Sequence, residues 1–188
     1  MSVAQGDRVP DVEVQTMGEE GPTTVSTGEV LGTGKVALFA VPGAFTPGCS
    51  KVHLPGYVQG ADDLFGKGVD RIVCVSVNDA WVMDAWANDQ GVGDKILMLA
   101  DGSAAFTKAM GLDVDRTALG MGIRSQRYSA LIEDGVITSL DVEEGGGISV
   151  SKLTPDLKRL NPLTKLTARL TRYFTQTVVS EYVRSNSS

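Results

Sequence analysis

Three short apolar runs limit what this chain folds into. Residues 35–41 read KVALFAV, with Gly34 before them and Pro42-Gly43 after them. Residues 70–77 read DRIVCVSV, and residues 96–100 (ILMLA) give the same signal more weakly. Continuous apolar runs of this length, closed by turn residues, read as strands buried on both faces. Such strands belong to parallel sheets covered by helices.

Helical patterns separate the runs. Residues 47–67 open on Pro47, suited to a first helical turn, and close near Gly66 and Gly68, while Pro55-Gly56 predicts a kink or break inside. Residues 79–90 follow Asn78, an N-cap residue, and place Trp81, Val82, Ala85 and Trp86 at core-facing spacings. Residues 103–110 form a short helix closed by Gly111. The pattern changes after Ile123. Residues 127–133 and 136–142 read as strands, and Asp134-Gly135 between them is a hairpin signal. Gly145-Gly146-Gly147 is a loop, and residues 153–160 are a further helix. This order predicts an α/β fold whose central mixed sheet is flanked by helices, compatible with a thioredoxin-like sheet.

Composition excludes several functions. The chain holds 17 basic and 23 acidic residues, a formal charge of −6. Non-specific binding of nucleic acid by the whole molecule is therefore disfavoured. Two cysteines and one histidine are too few soft ligands for a Cys/His zinc site. No metal or cofactor is expected. The cysteines do not make a disulfide scaffold, so reduced thiols in a cytoplasmic setting are the default. The N-terminal MSVAQGDRVPDVEV has no basic segment followed by an apolar stretch, so no signal peptide is expected. An organelle matrix stays open if a transit peptide has been trimmed.

The charge is unevenly spread: residues 151–188 carry a net +5 and residues 1–150 a net −11. Within residues 161–184, Leu163, Leu166, Leu170, Tyr173, Phe174, Val178 and Tyr182 recur at three- and four-residue steps. Lys165, Arg169 and Arg172 mark an adjacent basic face. The expected division is a domain over 1–160 and a basic amphipathic helical extension over 161–188. The extension packs on its own domain or a second subunit. The alternatives are docking to a partner or an anionic membrane surface, and a largely disordered tail.

The chemistry concentrates in residues 41–57, VPGAFTPGCSKVHLPGY. A buried strand ends at Pro42, and Thr46 and Pro47 then suit the cap and first position of a helix. Cys49 falls near the third helical position, where unpaired backbone N–H groups and the positive end of the helix dipole favour a thiolate. The junction lies at the carboxyl edge of the sheet, where open α/β folds bind ligands. The Thr46 hydroxyl is three residues away, within reach of the sulfur. Two readings stay open on position alone: a reactive thiol, or a small buried hydrophobe behind a helix cap.

Pro42-x-x-x-Thr46-x-x-Cys49 resembles the active-site motif of the peroxiredoxins, and the longer string PGAFTPGCS…HLPGY resembles their type II (peroxiredoxin 5) group. VSVNDAWV (75–82), LADGSAAF (99–106) and the run from Arg124 to Ser129 extend the resemblance over roughly residues 3–160. It implies a thioredoxin fold and a thiol peroxidase for hydrogen peroxide and small organic hydroperoxides. Cys49 is then the peroxidatic thiolate that becomes a sulfenic acid, and Thr46 the hydroxyl that holds the peroxide in line. Pro42 shields the site from water, and Arg127 stabilises the thiolate and the polarised peroxide. Arg124 is either a second member of this network or a surface salt bridge. His53, one turn beyond Cys49, is read as structural near the Pro55 kink rather than as a base. A homodimer through the edge near residues 78–82 is a further family expectation.

The sulfenic acid must be reduced by a second thiol. Some type II members carry a resolving cysteine after the glycine-rich loop, but here that stretch reads GGGISVSKL (145–153). Cys74, the other cysteine, sits mid-strand and reads as structural. The expected cycle uses one cysteine, with glutaredoxin and glutathione, or thioredoxin, as reductant. One alternative is an inactive thioredoxin-fold binding or chaperone-like protein using its C-terminal helix. The other, a thiol-disulfide oxidoreductase, is weakened by the lack of a CxxC.

Overall fold

The computed structural model describes residues 2–143 and residue 148. The expected glycine loop, the helix over 153–160, the extension over 161–188 and the division at residue 160 lie outside these residues. Nine strands are described: β1 (Glu13–Gly18), β2 (Gly21–Ser26), β3 (Lys35–Val41), β4 (Arg71–Ser76), β5 (Leu97–Ala100), β6 (Asp113–Asp115), β7 (Ile123–Ser125), β8 (Tyr128–Glu133) and β9 (Val136–Val142). The α-helices are α1 (Thr27–Leu31), α2 (Leu54–Gly66), α3 (Ala80–Asp89) and α4 (Ala105–Ala109).

Seven strands form one sheet in the order β2-β1-β5-β4-β3-β8-β9, and β6 and β7 form a separate pair. β3, β4 and β5 are mutually parallel, as their two-sided burial requires, while β8 and β1 flank them antiparallel. Alternate residues of the apolar runs feed opposite cores. Ala37, Phe39, Val41, Ile72 and Cys74 face α2 and α3. Val36, Leu38, Ala40, Val73 and Val75 face the side covered by α1 and α4. This is the mixed, helix-flanked sheet of the thioredoxin-like fold.

The Asp134-Gly135 turn has both residues at positive φ (49° and 80°), the mirror-image turn that suits the twist of a two-residue hairpin. It joins β8 to β9 with Glu133 opposite Val136. The β1–β2 hairpin, α1 and the β6–β7 pair have no counterpart in the sequence reading. β1 and β2 form an edge hairpin that buries only Val14, so no apolar run marks them.

Two details of α3 differ from expectation. Its cap is Asp79, whose carboxylate accepts from Val82 N–H at 2.9 Å, and not Asn78. Its buried stripe is Ala80, Met83 and Trp86, while Trp81 is 64% exposed. The face turned to the core is the one that carries Ala80, Met83 and Trp86, which leaves Trp81 on the outer face. Around Pro55 the chain changes from a π-helical turn, Cys49–His53, to α2, with Pro55 in the first turn of α2 where its missing N–H is harmless.

Leu38 is fully buried on the face away from α2. Leu38→Ala should lower unfolding free energy by about 2–5 kcal/mol in urea titrations while the folded fraction keeps its thiol chemistry. A loss under about 0.5 kcal/mol would contradict this packing.

Candidate active site

The site forms where β3 ends. After Val41 the chain crosses Pro42 and a short loop, then enters the helical segment at Pro47. Ser50 N–H donates to Thr46 C=O at 2.9 Å, the first helical bond. Thr46 is thus the capping position, and Cys49 is the third residue inside. The loop is held from β4: Ser76 Oγ–H (2.8 Å) and Ala44 N–H (3.0 Å) both donate to Asn78 Oδ1. That explains why Asn78 does not cap α3. Phe45, at φ 60° and 52% exposed, sits at the loop tip in a conformation side chains rarely adopt.

Cys49 is fully buried. Its Sγ lies 2.9 Å from Thr46 Oγ1 and 3.4 Å from Arg127 Nη2. Thr46 Oγ1 is also 2.8 Å from Gly43 C=O. A hydroxyl carries one proton, so it serves one acceptor at a time. Beside a thiol, S–H donates to Oγ1 and the hydroxyl donates to Gly43. Beside a thiolate, the hydroxyl turns to the sulfur.

Arg127 immediately precedes β8, and the Ala40–Tyr128 register brings it level with the end of β3. Its Nη1–H meets His53 Nδ1 at 3.0 Å while Nη2 faces the sulfur. A Cβ on Gly48 would stand 3.4 Å from Arg127 Nη2 and 3.3 Å from Ile148 Cδ1, so the bare glycine lets the guanidinium lie close over the turn. His53 is buried edge-on to Phe39 (5.2 Å between ring centroids) and Tyr57 (5.7 Å), which stack on each other at 3.9 Å. Ser50, beside the cysteine, accepts from the buried Trp86 Nε1–H at 2.9 Å.

A cleft of about 380 Å³ opens above, lined by Pro42, Thr46, Arg127, Arg116 and Leu119, with the buried Glu143 on its wall. The structure therefore gathers all four predicted residues, Pro42, Thr46, Cys49 and Arg127. Arg124 fits neither of its expected roles. Its Nε–H donates to Met121 C=O at 2.8 Å and its Nη1–H to Val77 C=O at 2.9 Å, tying the 116–122 loop to the end of β4. The sequence reading missed Gly48, Asn78 and Glu143 as parts of the site, and the His53–Arg127 contact. His53 was marked by its place one turn beyond Cys49 and by the HLP string, and Asn78 only as a helix cap; no local pattern tied Gly48 or Glu143 to the site.

Cys74 lies mid-β4 beside Phe39, in the same core as Cys49. Burial, and secondarily the nearby Cys49, push its thiol well above the ordinary cysteine range. Both cysteines are free.

The chain matches the Redoxin family over residues 4–157. It is 44% identical over 164 residues to rice Peroxiredoxin-2E-2, chloroplastic, covering 85% of this chain and 73% of that protein. Among solved structures it is similar to reduced Prx3 of Vibrio vulnificus in complex with H2O2, with TM-score 0.80 and 48% identity over 85% of this chain and 99% of that one. It is also similar to the antioxidant protein (1-Cys peroxiredoxin) of Plasmodium falciparum, with TM-score 0.76 and 28% identity over 84% and 96%.

The fold and family define a thiol-dependent peroxidase of the thioredoxin superfamily. This chain belongs to the peroxiredoxins, in the type II group its motif resembles.

In the native protein, Cys74 should resist alkylation by iodoacetamide at about pH 8, because its folded-state thiol stays protonated there. It should react once guanidinium unfolds the chain. Native labelling of Cys74 as fast as Cys49 would contradict this environment.

Proposed function

We propose that Cys49 is the peroxidatic nucleophile, working with Thr46, Arg127 and Pro42. The observation that carries this is the sulfur itself, between a hydroxyl at 2.9 Å and a guanidinium at 3.4 Å under an open cleft. The thiolate attacks the terminal oxygen of a hydroperoxide. An S–O bond forms, the O–O bond breaks, and sulfur loses two electrons to become a sulfenic acid. The departing hydroxide or alkoxide takes a proton from solvent. Arg127 stabilises the charge building on that oxygen, and Thr46 holds the peroxide in line. Pro42 closes one wall of the cleft against water. Hydrogen peroxide, bound in the named Vibrio structure, and small organic hydroperoxides are the substrates.

The cycle is a one-cysteine cycle. Cys74 is fully buried with its thiol held protonated, which suits a core residue rather than an attacking thiolate. The Plasmodium relative is itself described as a 1-Cys peroxiredoxin. Two equivalents of an outside thiol then return Cys49 to the thiol and release water. Members of the family act with thioredoxin-type reductants and commonly form dimers. For this chain we assign glutaredoxin with glutathione, or thioredoxin, as reductant, and a homodimer.

Phe45 (52% exposed), Trp81 (64%) and Leu119 (66%) support the dimer, since all three sit near the cleft mouth or on segments tied to its loop. A reducing compartment suits both free thiols. The cytoplasm is the first choice, and an organelle matrix the alternative that the rice relative's name brings in. We keep the division into a peroxidase domain over 1–160 and a basic extension over 161–188.

Stopped-flow kinetics with hydrogen peroxide test the assignment. Cys49→Ser should abolish the fast reaction, and Arg127→Lys should slow it about 10²- to 10³-fold. Cys74→Ser should keep turnover with an outside thiol. A fast Cys49→Ser reaction would overturn the assignment of the nucleophile, and loss of turnover in Cys74→Ser would overturn the one-cysteine cycle.

A further inference from the structure

We propose that Arg116 selects the substrate: its guanidinium receives a carboxylate carried by an organic hydroperoxide whose peroxide end reaches Cys49. The inference deepens the peroxidase reading above and rests on it. Size is the first observation. A water molecule takes about 30 Å³ in the liquid. A cleft of about 380 Å³ therefore leaves most of its space unfilled by hydrogen peroxide and has room for a substrate with a body. Pro42, Val114 and Met121 give that body apolar walls.

Charge is the second observation. Arg116 shares the cleft with Thr46 and Arg127, the two groups that meet the Cys49 sulfur. Arg127 is committed to that sulfur and to His53. Arg116 has no such commitment. Its Nε is buried and has no hydrogen-bond partner among the described residues. The ion pairs among those residues are Lys35–Glu133, Lys67–Asp63 and Lys95–Asp62, so none of their carboxylates holds Arg116. The adjacent acid, Asp115, is turned to Thr117, whose hydroxyl and N–H hold it below the usual carboxylate range. A guanidinium offers a planar fork of donors that a carboxylate matches with two parallel bonds.

The root of the side chain is fixed. Arg116 N–H donates to Gly122 C=O at 2.8 Å, and its own C=O accepts from Leu119 N–H at 2.9 Å and Met121 N–H at 3.2 Å. The loop so closed leans on the segment before the cysteine: a Cβ on Gly43 would stand 3.3 Å from Met121 Cε. Arg124 ties the same loop to the end of β4. Arg116 is thus held on the wall of the cleft by backbone bonds and not by a partner for its charge. The reaction is the one already given. The thiolate takes the terminal oxygen, the O–O bond breaks, and the departing alkoxide, once protonated, leaves as a hydroxy acid.

The test is single-turnover stopped flow on the reduced protein, with no thiol present, so that the carboxylates of a reductant play no part. The oxidants are ω-hydroperoxyhexanoic and ω-hydroperoxydecanoic acids, each beside its methyl ester, and hydrogen peroxide. Acid and ester carry the same peroxide and differ in charge. The chain has a formal charge of −6, so its overall field works against the acid and a preference for the acid requires a local cation. Wild type should oxidise about 10-fold faster with at least one acid than with its ester. That ratio should fall toward one in Arg116→Gln and be kept in part by Arg116→Lys, which restores the charge without the fork. Salt should lower it in wild type, because Arg116 is only half-buried.

The wild-type acid-to-ester ratio needs no variant to fold. Equal rates for both pairs, beside a fast reaction with hydrogen peroxide, overturn the role of Arg116 and leave the peroxidase standing. A preference that survives in Arg116→Gln also overturns it and moves the selection to another cation. A reaction with hydrogen peroxide no faster than that of free cysteine overturns the reading beneath.

Discussion

The contact that the rest of the site depends on is Arg127 reaching the Cys49 sulfur across 78 positions of sequence. A buried sulfur that carries negative charge needs a fixed cation, because the surrounding core offers no solvation of its own. The sheet supplies that cation through strand pairing. β8 runs antiparallel beside β3, and the Ala40–Tyr128 pair puts the residue before Tyr128 where β3 ends and the cysteine loop begins. A one-residue slip would turn every side chain of β8 to the opposite face, and the two-residue Asp134-Gly135 turn that joins β8 to β9 holds the pairing of those two strands.

The order of events in sequence and space follows from this. β3 and β4 must be parallel and doubly buried for their carboxyl ends to meet under the loop. Asn78, just past β4, then holds that loop through Ala44, and Arg124 ties the far wall of the cleft to Val77. The Asn78 side chain and the Val77 carbonyl, at the end of β4, are thus joined to both sides of the site. Trp86 adds a third anchor, from α3 to Ser50 beside the cysteine.

How much of this was legible varied with the range of the interaction. β3 and β9 stand at the residues their apolar patterns marked, since the β3 run is buried on both faces and the Asp-Gly turn pins β9. β1 and β2 left no trace because an edge hairpin that buries one valine has little to alternate. Pro42, Thr46 and Cys49 were legible together because they belong to one local turn. Arg127 was legible only through the family resemblance, and the His53 contact not at all, because no spacing rule relates a helical turn to a strand 74 positions away. Trp81 misled because aromatic spacing alone does not tell a core face from an exposed one, and the face turned to the core carries Ala80, Met83 and Trp86.

On this account a single thiol does the chemistry and the second is part of the core. Intact mass spectrometry of the reduced protein, sampled from milliseconds to minutes after one equivalent of hydrogen peroxide without added thiol, tests that most directly. The account predicts a rapid gain of one oxygen, located on Cys49 by its loss in Cys49→Ser. A rapid loss of two hydrogens would mean that Cys74 reaches the oxidised sulfur, and would contradict it.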